Sequence, residues 1–396
     1  MLEKSICPVC GSEHRQVFWE MLDIPVFCNI LWSERDGAIN CNRGDLKLAF
    51  CQDCGFIDNI AFDPERLEYT QVYENALDFS PRFQQYAHNL ATRLINTYNL
   101  QEKIIIEIGC GKGEFLSLLC ELGNNRGIGF DPTYVPLADH EAFSDRLTFI
   151  QDLYSEKYAN YQGDFICCRH TLEHIPTPTN LLKSLAQIVG NKPETGIFFE
   201  VPNALDIFRN LAVWDIIYEH CCYFAPVSLG YAFSSCGFEV KQITEEFRGQ
   251  FLCLEAQPNL DTHSTIKPET EQVNQLANTI AEFSQKFEDK LSEWEQKLGD
   301  MVNQGQRVVI WGSGSKGVTF LNFMKAAKTA IEYVVDINPR KQGMYVAGTG
   351  QKIVPPAFLV DYKPDVVIIM NPIYEQEITQ MLEDLGLTSC QVRCDV

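Results

Sequence analysis

Two stretches constrain this chain more than any other. They are KIIIEIGCGKGEFLSLLCELG, residues 103–123, and RVVIWGSGSKGVTFLNFM, residues 307–324. Each reads as an apolar strand, a glycine turn and a helix. An apolar strand that runs through a glycine turn into a helix belongs in a parallel sheet with helices on both faces. RGIGFDPTY, LTFIQDLY, DFICCRH and GIFFEVPN supply further strands after the first turn. IEYVVDINP and PDVVIIMNP do so after the second. The two turns are too far apart for a solenoid repeat, so two separate doubly wound units are expected.

A chain of 396 residues also exceeds one ordinary core. The expected division is 1–75, 76–258, 259–304 and 305–396. Within the third segment, Val273, Leu276, Ile280, Phe283, Phe287, Leu291, Trp294, Leu298 and Met301 recur every three or four residues. That spacing predicts one amphipathic helix over about 268–303, bracing the units on either side.

The first segment is turn-rich and carries CPVC, with Cys7 and Cys10, and CQDC, with Cys51 and Cys54. Each CxxC puts two thiolates on one tight turn, and two such knuckles make a tetrahedral S4 zinc site. Four protein ligands leave no open position, so the zinc is expected to be structural. The chain has 16 cysteines, many in apolar runs, and MLEKSICPVC has no apolar core of a signal peptide. Buried thiols and metal ligands in a reducing, cytoplasmic setting are expected, not disulfides. No apolar run reaches membrane-spanning length.

The net charge of −21 and the lack of a Lys/Arg block argue against nucleic acid as a partner. A nucleotide-linked substrate would rely on local positive charge or helix N-termini. The expected partner is a small-molecule substrate, with the chain acting as a monomer.

In the first glycine turn, Gly109, Gly111 and Gly113 give GxGxG. Glycine lets the backbone turn sharply and approach a ligand closely. Glu107 precedes the turn. Asp131 ends the next strand, placed to take two ribose hydroxyls, and Asp152 follows the third. An NAD site would favour GxGxxG.

EIGCGKG, GFDP and FICCRHTLEHIPTP resemble motifs of class I S-adenosylmethionine-dependent methyltransferases. The resemblance implies a class I methyltransferase Rossmann-like sheet with S-adenosyl-L-methionine as cofactor. It implies that Gly109, Gly111 and Gly113 line the methionine part, with Asp131 on the ribose and Asp152 near the adenine. The order of zinc domain, methyltransferase core, EVPN strand end, EHCCYF stretch and C-terminal glycine-turn domain resembles the nucleotide-sugar C-methyltransferases. Two departures stand out. Tyr218 replaces the first histidine of that family's His-Glu-His triplet, and the tyrosine-rich segment reads EYTQVYENALDFSPRF.

That triplet lies in WDIIYEHCCYF, residues 214–224, an otherwise apolar run. Methylation next to a ketone needs a base, enolate stabilisation and an in-line methyl donor. His220 has the right pKa range for the base, and Glu219 and Tyr218 would orient substrate or handle protons. Adjacent residues point to different sides, so contact between Glu219 and His220 is not implied. His170 is expected at the cofactor or substrate, since the carboxyl ends of strands face the ligand crevice. His174 reads as structural. Tyr73 and Tyr69 are each able to offer a phenol to the pocket or to pack.

In the second glycine turn, Gly312, Gly314 and Gly317 fit GxGxxG, with Asp336 ending the next strand. This admits an NAD-dependent oxidoreductase or epimerase domain. The resemblance implies instead a degenerate domain closing over the substrate, with Lys316 and the helix N-terminus on its phosphates. Tyr73, Asn203, Gly314 and Lys316 are therefore the expected substrate contacts. The expected function is C-methylation of a nucleotide-linked keto-deoxysugar or related carbonyl compound through an enolate. N- or O-methylation of another small metabolite and an NAD-dependent role remain open.

Overall fold

The computed structural model describes residues 6–67, 73–135, 145–190, 192–259 and 268–395. Tyr69 lies outside the described residues. Strands β1 (Arg15–Pro25), β2 (Arg43–Cys51) and β3 (Ile57–Asn59) form an antiparallel N-terminal sheet. Cys51 ends β2 and Cys54 sits in the turn that leads to β3.

The expected core strands are present as β4 (Ile104–Ile108), β5 (Arg126–Phe130), β6 (Leu147–Ile150), β7 (Phe165–Arg169) and β8 (Gly196–Pro202). All pair in parallel. β4, β7 and β8 are almost wholly buried, which explains their unbroken apolar runs. β9 (Cys222–Tyr223) then leaves the core and pairs with β3, Ile57 opposite Tyr223. The N-terminal sheet is thus completed by the middle of the chain, and the EHCC stretch is pinned against it.

β10 (Phe238–Glu246) and β11 (Phe251–Pro258) add an antiparallel edge. The seven strands run β10-β11-β8-β7-β4-β5-β6. The order reverses beside β4, so the ligand crevice lies at its carboxyl end, where the first glycine turn sits.

The C-terminal unit is a five-stranded parallel sheet of β12 (Val308–Trp311), β13 (Ile331–Val335), β14 (Lys352–Val354), β15 (Val366–Ile369) and β16 (Gln391–Arg393). Its order is β14-β13-β12-β15-β16. The second glycine turn follows β12, again at the switch point.

One 34-residue helix, Thr270–Asn303, joins the parts. Phe283 packs on Phe208 of the core, Trp19 of the N-terminal sheet lies tilted against it at 6.4 Å, and Trp294 meets Phe320 of the C-terminal unit. The apolar stripe therefore touches all three parts. No helix of the described residues is long and apolar enough to cross a membrane.

Candidate active site

The first glycine turn is built by backbone geometry. Gly109 has φ +69°, and a Cβ there would stand 1.9 Å from Thr171 Oγ1. Gly111 has φ +56°, yet a Cβ there would meet nothing within 4 Å, so this turn has an open face. The Gly111 N–H donates to Asp131 Oδ2 at 2.9 Å, fastening the turn to the end of β5. Gly113 caps the helix Glu114–Gly123. This open, amide-bearing turn at a helix start fits a nucleoside-linked ligand.

Glu107 lies buried beneath it, with burial pushing its carboxyl up to about 8. Asp152 sits apart, paired with Lys157 and accepting from Tyr158 at 2.6 Å, which lowers its carboxyl to about 2.

Next to the turn, Lys112 forms an ion pair with Glu74, which is 2% exposed. The same carboxylate accepts from Asn338 at 3.1 Å and lies 3.3 Å from Arg340. One buried acid thus joins the first glycine turn to the C-terminal unit. Nothing in the sequence pattern singles out Glu74, because the two partners lie in different domains.

Between core and C-terminal unit lies a cavity of about 320 Å³. His170, Glu173, His174 and His220 line its core side, and Gly314 and Lys316 line the opposite side. Tyr73, Lys341, Asp215 and Asp336 also reach it.

His170 follows β7 with φ +48°, an uncommon conformation for a non-glycine residue. Its backbone N–H donates to the Glu200 carbonyl at 2.8 Å, and its Nε2 lies 2.8 Å from a Glu200 carboxylate oxygen. Glu200 is fully buried and also takes the Arg169 guanidinium at 2.8 Å and the Tyr86 hydroxyl. Burial alone would raise its carboxyl, but Arg169 and His170 outweigh that and hold it well below the usual range. The glutamate of EVPN is therefore an anchor for His170, which sequence pattern alone did not reveal.

The His174 and His220 rings stand 5.0 Å apart in a T-shaped arrangement. His174, expected to be structural, faces the cavity. Its Nδ1 bonds the Glu219 carbonyl at 2.9 Å, and burial lowers its pKa to about 4. Burial, reinforced by His174, His170 and Lys316, takes His220 well below the ordinary histidine range. Both rings are neutral near pH 7. Burial pushes Glu173 up to about 7.

Three expected site residues do not line the cavity. Tyr218 is 1% exposed and does not line the cavity; its hydroxyl accepts from the Asp63 N–H at 2.9 Å, inside the packing against the N-terminal sheet. Glu219 is fully buried on that side as well, where its Oε2 accepts from the Cys28 N–H at 2.8 Å. Burial moves it up to about 7 against the pull of Cys28 and the Tyr73 hydroxyl. The chain turns back on itself here, with His220 N–H reaching the Ile217 carbonyl at 3.3 Å, so the three neighbours diverge. Asn203 is fully buried; its side chain accepts from Leu205 N–H at 3.1 Å and donates to the Gly249 carbonyl at 2.9 Å, capping the helix Ala204–Arg209.

In the second glycine turn, Asp336 Oδ2 accepts from Ser313 N–H at 2.9 Å and Oδ1 from Asn338 N–H at 2.8 Å. Lys316 forms an ion pair with Asp215 of the core, across the cavity mouth. In the N-terminal unit, Cys7 Sγ lies 3.6 Å from Cys54 Sγ and Cys10 Sγ 3.5 Å from Cys51 Sγ. The four sulfurs form one tight group able to hold a metal ion. Sulfurs ~3.8 Å apart are what tetrahedral bonds of about 2.3 Å give.

Residues 79–243 match the methyltransferase domain family, and residues 254–391 match the C-methyltransferase C-terminal domain family. The chain is 23% identical over 389 residues to the C-methyltransferase NovU of Streptomyces niveus, covering 94% of this chain and 90% of that protein. It is 32% identical over 116 residues to the tRNA U34 carboxymethyltransferase of Aliarcobacter butzleri, covering 28% of this chain and 38% of that protein. Among solved structures, the magnesium protoporphyrin IX methyltransferase from Synechocystis PCC 6803 with bound SAH aligns with a TM-score of 0.35. That alignment has 17% identity and covers 45% of this chain and 84% of the other.

Sheet order, glycine turn and domain match define a class I S-adenosylmethionine-dependent methyltransferase. Residues 254–391 add a C-methyltransferase C-terminal domain, and the chain is similar over nearly its full length to one C-methyltransferase.

Proposed function

We propose that this enzyme methylates a carbon next to the carbonyl of a nucleotide-linked keto-deoxysugar, or a related carbonyl compound, through an enolate. One observation carries the reading: a neutral, cavity-lining His220 stands beside His174 on a wall faced by Lys316. A neutral imidazole accepts the proton of a carbon acid, and exclusion from water strengthens every interaction that holds the resulting charge. His174, its orientation set by the Glu219 carbonyl, keeps the His220 ring in place. A cavity of about 320 Å³ suits a sugar-sized group, at the small end of ligand pockets.

Gly109, Gly111, Gly113 and Asp131 would hold S-adenosylmethionine, which supplies an electrophilic methyl group. Glu107 and Asp152 would lie around the same ligand, Asp152 towards the adenine. His170, held by Glu200, sits at the junction of the donor and acceptor regions. Gly314, the start of the helix Ser315–Phe323 and Lys316 would take the acceptor's phosphates, with Lys316 giving up Asp215. Tyr73 would present its ring at the cavity wall. The four cysteines would hold a structural zinc.

The test is product analysis with a 13C-methyl donor and a panel of nucleotide-linked keto sugars. A new C–CH3 resonance coupled to a carbon is expected. Methyl groups found solely on oxygen or nitrogen would defeat the reading.

A further inference from the structure

Glu173, His174 and His220 line one wall of the cavity, and each offers a ligand atom within 4.8 Å of the other two. Two features make this more than a chance grouping. Glu173 is 2% exposed, and among the described residues neither of its carboxylate oxygens has a side-chain hydrogen-bond partner. His170 Nδ1 lies 3.8 Å from that carboxylate. A carboxyl buried without a hydrogen bond ionises reluctantly, and a cation bound to it would favour the ionised form. The second feature is the tautomer of His174. A carbonyl oxygen only accepts, so the 2.9 Å bond to the Glu219 carbonyl puts the hydrogen on Nδ1 and leaves the lone pair on Nε2. An imidazole oriented by a backbone carbonyl on its far nitrogen is the usual support of a metal-ligating histidine.

We propose that Glu173, His174 and His220 form a second metal site, distinct from the four cysteines, that takes a borderline divalent cation of the zinc or cobalt class and silences the carbon-acid chemistry. Two imidazoles and one carboxylate suit such ions, whereas magnesium prefers an octahedron of oxygens. Ligand atoms around an ion at about 2.1 Å stand ~3–4 Å apart, so side-chain rotations of under an ångström close the set. The inhibitory half rests on the proposed role of His220: a lone pair donated to a cation cannot take a proton. The binding half does not depend on it.

The test is titration of Co2+ into the full-length protein with its cysteine site zinc-loaded, followed by visible absorption. The expected result is one equivalent bound in the micromolar range. It gives weak ligand-field bands without the intense near-ultraviolet thiolate charge transfer of a sulfur site. His174→Asn, His220→Asn and Glu173→Gln each weaken binding by about 10–100-fold. His220 borders open cavity space, so its variant stays informative if Glu173→Gln fails to fold. No spectral change up to millimolar Co2+, or unchanged affinity in both histidine variants, overturns the site. Acceptor C–H exchange should fall in step with cobalt occupancy, and exchange that persists at saturation overturns the inhibitory half. If the metal-free enzyme exchanges no proton at all, the proposed function fails while the binding titration still decides the site.

Discussion

His174 donates its Nδ1 hydrogen to the backbone carbonyl of Glu219, 2.9 Å away, so the residue before His220 orients the ring beside His220. The contribution comes from the Glu219 backbone, whereas its carboxylate points to Cys28 in the N-terminal unit. Glu219→Gln should therefore keep the His174 orientation and the Cys28 contact. Methyl transfer should fall less than tenfold, whereas loss of a general base costs about 10²–10⁴-fold. Steady-state kinetics of the variant decides between the two.

Tyr218→Phe should leave methyl transfer unchanged. It removes the hydroxyl that holds the Asp63 backbone, at a stability cost of about 1 kcal/mol. Paired denaturation and activity measurements test this, and a large drop in kcat without loss of stability would place Tyr218 back in the chemistry.

Glu74→Gln should loosen both ends of the bridge it makes. Breaking a buried pair costs about 3–5 kcal/mol, because Lys112 keeps a charge with no partner. Burial opposes the ionised form of Glu74, but Lys112, Asn338 and Arg340 outweigh it and hold the carboxyl below its usual range. S-adenosylhomocysteine should bind more weakly to the variant by calorimetry, although Glu74 is not part of the glycine turn.

Glu200 gives a pH signature. Its folded-state pKa lies below the ordinary carboxylate value, so its contribution to stability is present above about pH 4.3 and is lost as pH falls further. The stability gap between wild type and Glu200→Gln should shrink as pH falls below about 4.3. Denaturation midpoints across that range measure it.

How legible this was from residues alone varied with the physics. The strands β4, β7 and β8 were readable because burial on both faces demands unbroken apolar runs. β10, with FEVKQITEE, was not, because an edge strand keeps polar side chains on its open face. The glycine turns were readable because they depend on local backbone freedom. The grouping of Glu173, His174 and His220 was not, because it depends on β9 pairing with β3 and so turning the EHCC stretch back over the end of β7. Tyr218 and Glu219 lie off the cavity lining for a related reason: a turn separates the directions of three adjacent side chains.

Chelation of the cysteine group should release one zinc equivalent and lower the melting temperature, because structural zinc contributes directly to folding. Since β9 docks on β3 close to that group, the acceptor cavity should lose order with it. Amide exchange of the EHCC stretch before and after chelation reports this.

The most direct test of the central claim is hydrogen–deuterium exchange at the acceptor carbon in D2O, with S-adenosylhomocysteine in place of the donor. Wild-type enzyme should exchange the proton next to the carbonyl, and folded His220→Asn should slow that exchange by about 10²–10⁴-fold. Exchange at the wild-type rate in the His220 variant would contradict the assignment of His220 as the base.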